Sequence, residues 1–195
     1  INDHVFPNVA NLQHNIAAVT AHLRKQIEEK NGVLHLIPTV DGSTYYHSEE
    51  LGYWRVYDFI EDSVCLQQPE SPEDFYQSAV AFGTFQQQLK DFPAETLHET
   101  IPNFHNTVDR YRIFMDTLAA DPEGRAAQVQ PEIQFALAHK EEAGTLVRLL
   151  QEGKLPLRVT HNDTKLNNIL FDAASGKALC IIDLDTIMPG YAVND

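Results

Sequence analysis

Three polar side chains towards the end of the chain have types and spacing that could do chemistry together. Asp163 lies in the run His161-Asn162-Asp163-Thr164-Lys165, Asn168 follows five residues on, and a second carboxylate, Asp183, sits in Ile181-Ile182-Asp183-Leu184-Asp185. All are flanked by apolar segments that read as short strands, so they fall at strand ends and loops, where a scaffold exposes reactive groups. An Asp and an Asn oxygen can hold a hard divalent cation whose other positions go to water and phosphate oxygens. The remaining carboxylate can then orient a hydroxyl and take its proton. Positioning, charge neutralisation and a weak base are what phosphoryl transfer demands.

The elements that must position these residues can be read from the pattern. Leu12, Ile16, Val19, Leu23 and Ile27 recur at helical spacing, which predicts a helix from Asn8 to about Glu29, stopped by Asn31-Gly32. A strand-rich stretch follows. It has strands at 33–38, 43–47 and 51–60, with Asp41-Gly42 as a hairpin signal. Ser71-Pro72-Glu73-Asp74 is a helix start, and that helix should run to about Lys90. Further helices are expected over 108–120 and 131–152. Short extended pieces at 157–160 and 168–171, a turn at 173–177 and a strand at 179–183 complete the chain. This is an α+β pattern with segregated parts, with a break at about 62–72.

Composition narrows the function. The 195 residues carry 43% hydrophobic side chains, enough for a core, and a formal charge of −14. That charge repels polyphosphate backbones and argues against nonspecific nucleic-acid binding. No apolar run approaches the roughly 20 residues a bilayer crossing requires. The chain opens on Ile1 without a basic-then-apolar leader, so no secretory signal is visible. Cys65 and Cys180 are expected to be reduced, buried thiols of a cytoplasmic protein. No H-E-x-x-H or C-x-x-C motif occurs.

The string His161-x-Asp163-x-x-x-x-Asn168 followed by Ile182-Asp183 resembles the catalytic loop and metal-binding strand of the aminoglycoside phosphotransferase/choline kinase family, whose fold is protein-kinase-like. The longer strings His161–Lys165, Asp183–Gly190 and His98–Thr107 are similar to those of the N-acetylhexosamine 1-kinase subgroup. The resemblance covers nearly the whole chain. It implies an ATP-dependent kinase acting on a hydroxyl of a small molecule, with Mg2+. Asp163 would be the catalytic base, Asn168 and Asp183 the magnesium ligands, and Lys165 would face the transferred phosphate. His161 would chiefly support the loop. Tyr57 would stand at the gatekeeper position, with the Asp58 carbonyl and the Ile60 amide meeting the adenine edge. Residues 1–62 would be part of the small lobe, ending in the hinge, and residues 63–195 the helical lobe with the catalytic loop.

For the acceptor, the loop Pro102–Thr107 with Arg110 offers amide, imidazole and guanidinium donors in Asn103, His105, Asn106 and Arg110, which suits a neutral sugar. Asp185 could touch the sugar or a second metal, or be structural. A glycine-rich phosphate loop and its basic partner residue are not found. Gln13 and His14 sit where an acidic partner would be expected. The chain therefore reads as part of a longer protein, with little activity expected from these residues alone. Two alternatives remain open: an aminoglycoside or choline-type kinase, and an inactive kinase-like nucleotide-binding module.

Overall fold

The amphipathic stripe of the first segment forms its helix, but a shorter one. In a computed structural model, which describes residues 1–195, α1 spans Val9–Leu23, with the Asn8 side chain accepting from the Asn11 N–H at its start. Leu12, Ile16, Val19 and Leu23 are buried. The helix ends before Ile27, and residues 24–26 pass into a turn in which the Gln26 and Ile27 N–H groups donate to the Leu23 carbonyl. Arg24 donates to the Val33 carbonyl at 2.9 Å and folds the chain back.

The expected strand over 51–60 is two short strands that serve different partners. β1 (Leu36–Ile37) pairs antiparallel with β4 (Val56–Tyr57), and β2 (Tyr46–Ser48) pairs with β3 (Gly52–Trp54). The turn after β1 is braced by Thr39, whose backbone N–H donates to the Ser43 carbonyl at 2.9 Å. Along residues 53–57 exposure alternates: Trp54 and Val56 face solvent, while Tyr53, Arg55 and Tyr57 are partly buried. The stretch expected to be a break contains β5 (Ser63–Cys65). It joins β7 (Ile169–Asp172) and β8 (Ala178–Ile181) in a three-stranded antiparallel sheet of order β5-β7-β8. β6 (Arg158–Thr160) pairs with β9 (Met188–Gly190). A side chain at Gly190 would collide with Thr160, so glycine lets these two strands close.

α2 (Pro72–Gln88) begins as its sequence signals, with a reciprocal capping box between Ser71 and Asp74. Its Phe82 and Phe85 are buried. The chain divides into two compact units, one made of residues 1–101 and 157–195, the other of residues 102–156. The first holds the main core, in which Leu12, Ile16, Val19, Phe85, Leu89, Val159, Leu184 and Ile187 pack together. The second is helical: α3 (Thr107–Ala120), α4 (Gln130–Ala138), α5 (Lys140–Ala143) and α6 (Thr145–Gln151). The single helix expected over 131–152 is broken at His139 and Gly144. Cys180 is buried, as expected, and burial pushes its thiol up to about 12. Cys65 is exposed, contrary to expectation: consecutive residues Val64 and Cys65 of β5 are both exposed, so neither face of the strand is covered there. No helix is long and apolar enough to cross a membrane.

Candidate active site

β6 delivers the chain into the loop 161–168, and β7 and β8 return it to Asp183. Two backbone turns are forced into the left-handed region here, at Asn162 (φ 67°) and Asp183 (φ 57°). Asn and Asp tolerate that region better than other side chains. Such positions persist only where their surroundings hold them. Asn162 is held by its own amide, which donates to the Thr160 and Thr186 carbonyls at 3.1 and 2.8 Å. Its backbone N–H and that of His161 both donate to the Asp195 carboxylate, each at 2.8 Å. Thr186 closes the arrangement by donating its hydroxyl to the His161 carbonyl at 2.7 Å.

His161 ties the loop to the returning strand. Its ring is fully buried. Nε2 lies 2.9 Å from the Ile182 carbonyl, and Nδ1 accepts from the Asp163 N–H at 3.3 Å. A carbonyl on one side and an N–H on the other select the Nε2–H tautomer. Phe82 and Phe85 pack edge-on against the ring.

Asp163 and Asn168 are in contact. The Asn168 amide donates to the Asp163 carbonyl at 2.8 Å and to its Oδ2 at 3.1 Å. Lys165 Nζ lies 2.8 Å from the same Oδ2. That bond, ahead of the other influences, raises the Lys165 pKa. Both partners fall on one oxygen of Asp163, and Oδ1 accepts no hydrogen bond from the chain. Asp183 is open to solvent on one side, yet the protein crowding its other side removes water. That desolvation, then the charges of Asp185 and Asp163, pushes its carboxyl above the ordinary range.

This donor set fits a hard divalent cation. Asn168 uses its N–H groups on Asp163, which leaves its carbonyl oxygen as a ligand, and Asp183 accepts no hydrogen bond from the chain. A cation there would relieve the crowding of three carboxylates. No group of three or more His, Cys, Asp or Glu side chains gathers to hold a metal. A site of one carboxylate and one amide suits Mg2+, which keeps several waters and takes the rest of its shell from phosphate oxygens.

The other expected site residues are placed as follows. The Tyr57 hydroxyl is buried without a partner, and burial pushes it up to about 12. The Asp58 carboxylate pairs with His35 at 2.6 Å. Its N–H donates to the His35 carbonyl, while the Asp58 carbonyl and the Ile60 N–H bond to no other backbone group. Asp185 forms an ion pair with Arg55. Asn103, His105 and Arg110 belong to the second unit. Asn103 is left-handed (φ 57°) and accepts from the Asn106 amide at 3.1 Å. His105 packs on Phe104, and Arg110 donates twice to the Phe104 carbonyl, at 2.8 and 2.5 Å. Arg55, Asn162, Thr186 and Asp195 were not singled out by sequence. Only Asn162, beside His161-x-Asp163, carried a local signal, in its residue type.

Asp163, Asn168 and Asp183 thus flank one hairpin, β7–β8, of an α+β chain. The chain belongs to the phosphotransferase enzyme family, whose model matches residues 6–195. Among solved structures, a spectinomycin phosphotransferase in complex with ADP and spectinomycin is similar, with a TM-score of 0.47 and 17% identity. The match covers 93% of this chain and 55% of that one, so the chain spans about half the length of that relative.

Proposed function

We propose that this chain carries the catalytic loop and metal-binding strand of an ATP-dependent small-molecule kinase with a protein-kinase-like fold. Residues 1–62 would belong to the small lobe and residues 63–195 to the helical lobe. The observation that carries the reading is Asp163. One of its oxygens is fixed by Asn168 and Lys165, and the other is free to receive a hydroxyl.

Asp163 would accept a hydrogen bond from the acceptor hydroxyl at Oδ1 and take its proton late, as the bond to phosphorus forms. A loose transition state makes the hydroxyl acidic only then, so the base needs no raised pKa. Lys165, already beside Asp163, would set its charge against the transferred phosphoryl group. Asn168 and Asp183 would hold Mg2+, which would neutralise charge on the ATP phosphates. His161 would keep Asp163 and Asp183 in register through its two ring hydrogen bonds. The free Asp58 carbonyl and Ile60 N–H are the acceptor and donor an adenine edge requires, with Tyr57 behind them.

The acceptor we favour is the anomeric hydroxyl of an N-acetylhexosamine or related sugar. The similarity of the 98–107, 161–165 and 183–190 strings to that subgroup supports it. Asn103, His105, Arg110 and Asp185 are the candidate contacts. Arg55 already holds the Asp185 carboxylate, which favours a structural role for that residue.

The test is incubation of the protein with Mg2+ and ATP against sugars, amino sugars, choline and aminoglycosides, with products read by phosphorus NMR. An anomeric sugar phosphate is the expected result. Phosphate on an aminoglycoside or on choline would keep the chemistry and discard the acceptor. Nucleotide binding without any product would favour an inactive binding module.

A further inference from the structure

Arg55 sits in a run of aromatic residues at a position where the alternation of exposure turns side chains inward. It forms an ion pair with Asp185, 130 residues away, and the two side chains are only 15% and 17% exposed. Burying such a pair is not in itself stabilising, because desolvation offsets the attraction. Nor is the guanidinium fully used, since its Nη1 is buried without a partner. The guanidinium also lies over the Tyr57 ring, 5.3 Å from its centroid, so Arg55 is held between that ring and the Asp185 carboxylate.

What the pair does is fix Asp185, two residues beyond Asp183. The turn after Asp183 is held at its backbone: Thr100 donates to the Asp185 carbonyl at 3.4 Å, Asn162 to that of Thr186, and Asn15 to that of Ile187 at 2.9 Å. The Asp183 carboxylate accepts nothing from the chain, and its backbone is left-handed. Its backbone is held before it at Ile182, whose carbonyl meets His161 Nε2 at 2.9 Å and whose N–H donates to the Asn168 carbonyl at 2.9 Å, and after it by this turn, on which Arg55 provides the side-chain grip. We propose that Arg55 is a positioning residue: by holding Asp185, it sets the direction in which Asp183 presents its carboxylate to a divalent cation. This rests on the phosphotransferase reading above. Arg55 acts through Asp185 and makes no hydrogen bond to Asp163, Asn168 or Asp183.

The test measures Mn2+ affinity by electron paramagnetic resonance in the presence of a non-hydrolysable ATP analogue. Affinity for the metal-free analogue and the melting temperature are followed alongside. Two variants are compared with the parent protein. Arg55→Lys keeps the charge and loses the fork. Arg55→Met combined with Asp185→Leu replaces the pair by apolar side chains. In the double variant Mn2+ should bind about tenfold or more weaker, as when a partner of a metal ligand is removed. The metal-free analogue should bind within about twofold of the parent. Arg55→Lys should lie between, and it carries the test if the double variant fails to fold. Unchanged Mn2+ affinity in both variants, or in Arg55→Lys alone where only it folds, would overturn the proposal while leaving the phosphotransferase reading intact. Equal weakening with and without metal would also overturn it, by making Arg55 a general structural residue. A parent protein that binds neither Mn2+ nor the analogue would overturn both readings together.

Discussion

His161 has no water-accessible surface, and both ring nitrogens are engaged by the backbone on either side of the site. It has no free nitrogen with which to pass a proton, which leaves the carboxylates of Asp163 and Asp183 as the solvent-accessible acceptors at the site, and Asp163 is the base in the proposed reading. Asp163→Asn should keep the hydrogen bond to Asn168 and lose the proton acceptor. Turnover should then fall by about 10²–10⁴-fold, the usual worth of a positioned base, with nucleotide affinity nearly unchanged by calorimetry. A large loss of affinity would mean that Asp163 holds nucleotide or metal instead. Asp183 makes the opposite kind of prediction. Its pKa is raised in the folded protein, so its ionised form opposes folding at neutral pH. That penalty is fully present above the raised pKa. It is relieved as pH falls through the raised value towards the unfolded one. Without divalent cations, Asp183→Asn should melt above the parent at pH 7, and the gain should shrink as pH falls through the carboxylate range. Adding Mg2+ and nucleotide should raise the melting temperature of the parent and not of the variant. A variant that melts below the parent at pH 7 would contradict the crowding of charge inferred here.

The loop 160–168 is shaped by contacts distant in sequence, and the Asp195 carboxylate is the clearest of them. It accepts from two consecutive N–H groups, one belonging to a left-handed residue. Asp195→Ala should leave both donors without a partner and cost about 1–3 kcal/mol in chemical denaturation, with turnover falling alongside. Asp195→Asn can still accept one of the two bonds and should lose less. An Asp195→Ala protein as stable and active as the parent would exclude the brace. Nothing at Asp195 itself announces this role, and the same holds for Arg55. That Asp163, Asn168 and Asp183 lie near one another was legible because the hairpin keeps them close in sequence. The helix starts at Asn8 and Ser71 were legible because caps are local. β5 and β9 were not, because a three-residue strand has too few positions to show alternation, and its pairing depends on segments about a hundred residues and about thirty residues away respectively. The helix over 131–152 shows the converse: it is broken at Gly144, a residue of low helix propensity, and at His139, where nothing local marks a stop.

The two units of the molecule differ in how much each buries. Residues 1–101 with 157–195 enclose the main core, including Leu12, Ile16, Val19 and Ile187 with no accessible surface. In residues 102–156, α3, α5 and α6 contain no buried residue, and Ile133 of α4 is the one buried side chain. Apolar side chains such as Val108, Ile113, Met115 and Phe135 stay exposed there. Local stability follows buried apolar contact, so the two units should open with different free energies. In hydrogen exchange read by mass spectrometry, amides of α3–α6 should exchange about tenfold or more faster than those of α1, β7 and β8, a difference of about 1.4 kcal/mol in opening free energy. Limited proteolysis should likewise cut first within 102–156, at Arg125 or Lys140 with trypsin. Mg2+ with an ATP analogue should slow exchange at 160–169 and 182–188, where the proposed ligands lie. Uniform protection along the chain would mean that the two units unfold as one. Protection by nucleotide confined to 102–156 would move the binding site away from Asp163 and Asp183 altogether.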